Sequence, residues 1–140
     1  VAFQAKNNVA NFGFFRNFMF MLQRLTGVVT LIFIAWHVWE TKLQLVLGNV
    51  EATGLFKMMN EILANPFMLT FYIVGLLAAV FHLANGLWSF AVSWGITIGP
   101  RAQRISTYVT MIIFVLISAM GLMALFAFAN PSDVAQAIQR

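Results

Sequence analysis

The 140-residue sequence contains no cysteine. That excludes disulfides, thiolate metal sites, iron–sulfur ligation and covalent attachment of a c-type haem, which needs Cys-x-x-Cys-His. Charge is nearly as scarce. Charged residues make up 9% of the chain, against about 25% in a soluble globular domain, so a soluble domain is excluded. Disorder is excluded as well, because it requires low hydrophobicity and high charge, whereas 61% of these residues are hydrophobic. The remaining class is an integral membrane protein. The net charge of +4 is modest and gives no pointer to nucleic acid, since lysines and arginines flank membrane spans as a rule. Neither a signal-peptide pattern nor an internal repeat is present. The chain opens on Val1-Ala2-Phe3, an apolar turn leading into the polar Gln4 to Asn8. This reads as the end of an element whose body lies upstream, so a fragment of a longer protein is the expectation.

A bilayer-crossing helix needs about 20 mostly apolar residues. Three stretches qualify, over roughly 18–39, 66–94 and 105–129. Backbone groups in lipid must be paired internally, so each is expected to be a helix, and the fold class is an all-α membrane helical bundle. Pro66 suits the first turn of the second span. Gly99-Pro100 separates the second span from the third, and Asn130-Pro131 ends the third. Between the first two spans, Leu55, Met58, Met59, Ile62 and Leu63 form one apolar helical face. That predicts a short helix over 55–64, lying in the membrane interface.

Basic residues set the orientation. Lys6, Arg16 and Arg24 precede or open the first span, and Arg101 and Arg104 lie between the second and third. Between the first and second, Lys42 and Lys57 are outnumbered by Glu40, Glu51 and Glu61. The positive-inside rule then places the 95–104 connection and the chain start in the cytoplasm, with the 40–65 loop and the C-terminus outside.

Both histidines, His37 and His82, fall inside apolar spans. An ionisable residue there is a candidate functional group; ligation of a metal or cofactor, proton relay and plain packing are the three readings. His82 lies 16 residues beyond Pro66, about 24 Å down the second span at 1.5 Å per residue. His37 lies two residues before Trp39, near the outer face. The spacing therefore predicts imidazoles separated by most of the hydrocarbon thickness, so that one iron cannot take both. Beside His82, Gly75, Ala78, Ala79, Gly86 and Ser89 leave one stripe nearly bare. A planar macrocycle fits such a stripe, and so does close helix–helix packing. The face of His37 is bulkier, with Thr26, Thr30, Phe33, Ile34 and Thr41. Arg16, Arg24, Arg101 and Arg104 are candidates to pair with the carboxylates of a bound group or with an acidic partner surface, or they serve topology alone. Arg24 lies slightly inside the apolar run, where it needs a counter-charge or a snorkelling stem. Trp36, Trp39, Trp88 and Trp94 sit toward span ends, as interfacial anchors do.

Several blocks in register carry a resemblance: Met21-Leu22-Gln23-Arg24-Leu25-Thr26-Gly27, Ala35-Trp36-His37-Val38-Trp39-Glu40-Thr41, Phe81-His82 with Asn85-Gly86-Leu87-Trp88-Ser89-Phe90, Val92 to Thr97, and Pro100-Arg101 to Gln103-Arg104. The chain resembles the dihaem cytochrome b membrane anchors of succinate dehydrogenase and fumarate reductase, in the single-polypeptide form of Bacillus-like bacteria. The resemblance implies five membrane helices in the whole subunit, of which this chain supplies the last three, with Val1 to Phe3 ending the second. It implies two b haems with four axial histidines: His37 on the distal, outer haem and His82 on the proximal, inner one, with the partner histidines upstream. It further implies that catalysis at succinate belongs to a flavoprotein subunit, that an iron–sulfur subunit docks on the cytoplasmic face, and that menaquinone is reduced near the outer face of a bacterial cytoplasmic membrane. Trp36, Trp39 and Glu40 are candidates to line the quinone site or handle its protons, and are equally ordinary interfacial residues. A quinol:fumarate reductase is the alternative within the class. A proton-conducting subunit or a purely structural anchor is the alternative outside it, although relays usually chain several ionisable groups and these spans hold few.

Overall fold

The computed structural model describes residues 14–130, with side chains from Phe18 onward. Val1 to Phe3, Lys6, the Arg16 side chain and the C-terminal segment from Pro131 lie outside the described residues. The elements are α1 (Phe14–Val38), a π-helical turn (Trp39–Leu43), a short α2 (Gln44–Val46), a 3-10 turn (Ala52–Gly54), α3 (Leu55–Leu63), α4 (Pro66–Ser93) and α5 (Pro100–Ala129). No strand occurs among the described residues, and the protein is an all-α membrane helical bundle. Three helices are long and apolar enough to cross a membrane: Phe18–Val46, Pro66–Ser93 and Pro100–Ala129.

Two of these bounds differ from the sequence expectation. The first span runs past Trp39 to Val46, because the π turn carries the helix through Glu40 and Lys42 without a break. The third begins at Pro100 rather than near 105, because Gly99-Pro100 starts the helix and the first turn takes up Arg101.

Local chemistry explains the ends. Asn65 precedes α4 in extended conformation, and its side-chain oxygen accepts the Phe67 amide at 2.9 Å. Pro66 follows at the first helical position, where it lacks a donor that the helix could not have used. At the other end of α4, Gly95 adopts φ 67° and the Ile96 amide donates to the Ala91 carbonyl at 2.9 Å. This is the glycine-terminated closure that satisfies the last carbonyls of a helix.

α4 is the middle of three antiparallel membrane helices, packed on α1 along one side and α5 along the other. Small residues set the approach. The Phe33 side chain fills the space that a Cβ on Gly75 would need, and a Cβ on Gly121 would meet Leu76 at 2.9 Å. α3 closes one end: Leu63 is buried, Phe56 meets Phe128, and the Asn60 amide donates to the Phe128 carbonyl at 2.7 Å. The opposite end is the turn between α4 and α5. Leu31 is 70% exposed and Met120 66%. Apolar side chains this exposed along whole helices are solvated by hydrocarbon or covered by further helices, not by water.

Candidate functional site

His82 stands on α4 toward the α4–α5 turn and packs into the face of α1. Gly27 makes room for it: a Cβ there would lie 3.0 Å from the imidazole Cε1. The ring is tied at Nδ1, which donates to the Gln23 carbonyl at 3.1 Å, with the Thr26 hydroxyl 3.5 Å away. This contact assigns the proton to Nδ1 and the lone pair to Nε2. Polar side chains support the arrangement. Asn85 donates to the Gln23 side-chain oxygen at 2.8 Å, which turns the Gln23 amide nitrogen toward His82. That nitrogen donates to the His82 carbonyl at 3.2 Å and lies 3.5 Å from Nε2. A long, soft contact is thus all that Nε2 makes among the described residues.

His37 is arranged in the same way from different parts. The Tyr72 hydroxyl donates to a Glu40 carboxylate oxygen at 2.8 Å. Its proton is thereby committed, so the 3.3 Å contact between Tyr72 and His37 Nδ1 is a bond from the imidazole N–H to the phenol oxygen. Nε2 of His37 again carries the lone pair, and it makes no hydrogen bond among the described residues. Phe33 stacks on the ring, with centroids 6.0 Å apart at 27°. The Thr41 hydroxyl bonds the His37 carbonyl at 2.6 Å, where the backbone passes into the π turn. Such turns recur at functional sites.

The imidazoles are staggered along the bundle. Tyr72 marks the level of His37 on α4, and His82 follows ten residues later, about 15 Å along the axis. This is roughly half the hydrocarbon thickness of about 30 Å, less than the spacing argument predicted. The difference follows from the longer first span, which continues nine residues beyond His37. The separation still exceeds by far the 2 Å or so between a metal and a ligand nitrogen, so the rings cannot share one iron.

The other sequence candidates scatter. Gly75 is covered by Phe33, and a Cβ on Gly86 would meet the Gln23 amide at 3.4 Å, so at both positions α1 fills the stripe on α4. Ala78 and Ala79 are half-buried. Ser89 and Arg104 line a cavity of about 910 Å³ near the α4–α5 turn, together with Gln23, Asn85, Trp88 and Gln103. His82 is not among its lining residues. Arg24 is exposed, with its guanidinium 5.9 Å from the Phe20 ring centroid, and Arg101 is exposed. Trp36 and Trp39 are exposed, Trp36 meeting the edge of Phe71. Of the three quinone candidates only Glu40 joins the histidine network. The supporting roles of Tyr72, Gln23 and Asn85 emerge only in the fold. Their signal was available: a tyrosine hydroxyl or a side-chain amide in an apolar span must find a partner.

No cluster of three or more His, Asp or Glu side chains that could cage a metal ion exists among the described residues. Each imidazole instead offers one pre-oriented nitrogen, the donor set suited to a group whose equatorial ligands come from its own macrocycle. Fixing Nδ1 to orient a ligating Nε2 is the usual outer support of such histidines. In donor chemistry, each imidazole therefore suits an axial position on a haem.

Membrane-length helices holding two staggered imidazoles, each tied at Nδ1, define a multi-pass helical membrane protein with two potential ligand positions. The chain belongs to the succinate dehydrogenase/fumarate reductase transmembrane subunit family, whose model matches residues 14–130. It is 59% identical over 128 residues to the succinate dehydrogenase cytochrome b558 subunit of Bacillus subtilis (strain 168), an overlap covering 91% of this chain and 62% of that protein. The chain thus spans less than two thirds of the length of that relative. No solved structure matches it.

Proposed function

We propose that this chain belongs to a cytochrome b membrane anchor of succinate dehydrogenase and supplies one axial ligand to each of two haems, His37 to a distal haem b and His82 to a proximal one, with the partner histidines upstream. The observation that carries the reading is the pair of staggered imidazoles, each held at Nδ1 by a partner on the facing helix. Family membership and the named relative support it. Haem bound at the two levels supplies one-electron carriage between a soluble electron donor and menaquinone. The chain's own residues orient the ligands, exclude water and keep the two levels apart. A hydrogen bond at each Nδ1 restricts ring rotation, and the apolar helix faces lower the local dielectric, both of which tune a bound iron.

The partners of this reading are a flavoprotein subunit that oxidises succinate and an iron–sulfur subunit. The positive-inside rule puts the α4–α5 turn, with Arg101 and Arg104, in the cytoplasm of a bacterial cell, on the side where the iron–sulfur subunit docks. His82 is then the nearer ligand and His37 the farther. Menaquinone is reduced near the α3 end, and the chain itself is electron-transferring rather than catalytic. The relative is named for succinate dehydrogenase, which favours succinate oxidation over fumarate reduction.

The test is a reduced-minus-oxidised spectrum of the full-length subunit purified in its complex. The expected result is a sharp cytochrome b band, produced by succinate as well as by dithionite. A colourless, active complex would overturn the reading in favour of a structural anchor.

A further inference from the structure

A carboxylate stands one hydroxyl away from His37. Glu40 lies within an apolar span, is half-buried, and forms no ion pair among the described residues. Lys42, the nearest basic residue along the chain, is exposed. Among the described residues, the Glu40 carboxylate accepts from Tyr72, which is 4% exposed and itself bonded to His37. A carboxylate oxygen is therefore connected to the imidazole N–H through a single hydroxyl. The arrangement at His82 is different in kind, because its Nδ1 donates to a neutral backbone carbonyl.

We infer that Glu40 and Tyr72 are positioning residues that tune the His37 centre: the carboxylate, acting through the phenol hydroxyl, holds the imidazole in one tautomer and favours the more positive, oxidised state of the group ligated there. The physics is that of a charge-assisted chain in low dielectric. Polarising the Tyr72 O–H toward the carboxylate makes its oxygen a stronger acceptor. The His37 N–H is then drawn more strongly, Nε2 becomes a better electron donor, and the oxidised iron is stabilised relative to the reduced one. The π turn at Trp39–Leu43 begins two residues after His37 and contains Glu40, so the backbone irregularity and the carboxylate belong to one device. His82, lacking a charged acceptor, receives no such bias.

This inference rests on His37 being a haem ligand, and the experiment separates the two. The full-length subunit is studied in its assembled membrane complex, and the potentials of both haems are followed optically in a redox titration. Glu40→Gln keeps the shape and the acceptor but removes the charge. Its expected effect is an upward shift of the His37 haem by about tenfold in the reduction equilibrium, or 59 mV for a one-electron couple, with the other haem unmoved. Tyr72→Phe removes one hydroxyl and disconnects the carboxylate, so it produces the same shift. Glu40→Asp keeps the charge and restores most of the wild-type potential. The inference is overturned if Glu40→Gln and Tyr72→Phe leave both potentials where they were, or if both haems move together. It is equally overturned if all three variants fail to assemble, which would assign Glu40 and Tyr72 to structure alone. If His37→Leu retains both haems, the ligand assignment itself has failed, and not merely its tuning.

Discussion

On the proposed ligation, replacing His82 by leucine is expected to remove one of two b haems from the assembled complex and to abolish reduction of the remaining haem by succinate. Leucine matches the bulk of the ring but offers no lone pair. It also removes the Nδ1 donor at 3.1 Å from the Gln23 carbonyl, which keeps the Thr26 hydroxyl at 3.3 Å. Loss of the outer support of a ligand typically costs 10- to 100-fold in affinity or activity, so loss of the ligand itself is expected to lower succinate-driven quinone reduction by at least about 100-fold. Assembly suffers too, because the ring occupies the contact between Gly27 and α4. The readouts are the haem-to-protein ratio and the fraction of haem reduced by succinate against dithionite. Retention of two haems with full succinate reducibility would contradict the assignment.

Replacing His37 by leucine gives the complementary result. One haem is again expected to be lost, yet succinate should still reduce the one that remains, because in the proposed orientation His82 lies toward the side at which electrons enter. Quinone reduction falls by a similar factor of about 100. The Tyr72 hydroxyl keeps its bond to Glu40 and loses only the 3.3 Å contact from the imidazole. The helix pair should therefore hold together, and this variant is expected to assemble better than the His82 variant. Loss of succinate reducibility in both variants would reverse or merge the two levels.

Much of this architecture is legible in the chain because membrane physics is severe. A run of apolar residues in a chain with so little charge has few alternatives to a spanning helix, and Pro66 and Gly99-Pro100 mark two helix starts outright. The end of the first span was harder to read. Glu40 and Lys42 look like the end of an apolar run, yet the helix continues because Tyr72 takes up the carboxylate and Lys42 is exposed. The small residues of α4 give a second lesson. Sequence identifies Gly75 and Gly86 as a gap in the helix surface but not its occupant. In the fold Phe33 and Gln23 fill those positions from α1, so helix packing accounts for them without a cofactor. The histidines stood out as rare ionisable groups in apolar runs. Their supports did not, since His37–Tyr72 and His82–Gln23 are 35 and 59 residues apart, pairings that local periodicity does not reveal.

The most direct measurement is an iron map of the intact complex, from a density map or from anomalous scattering at the iron edge. The account predicts two irons in the membrane region, separated along the bundle by about 15 Å, one bonded to Nε2 of His37 and the other to Nε2 of His82. A single iron joined to both rings, or iron bound to neither, would contradict it.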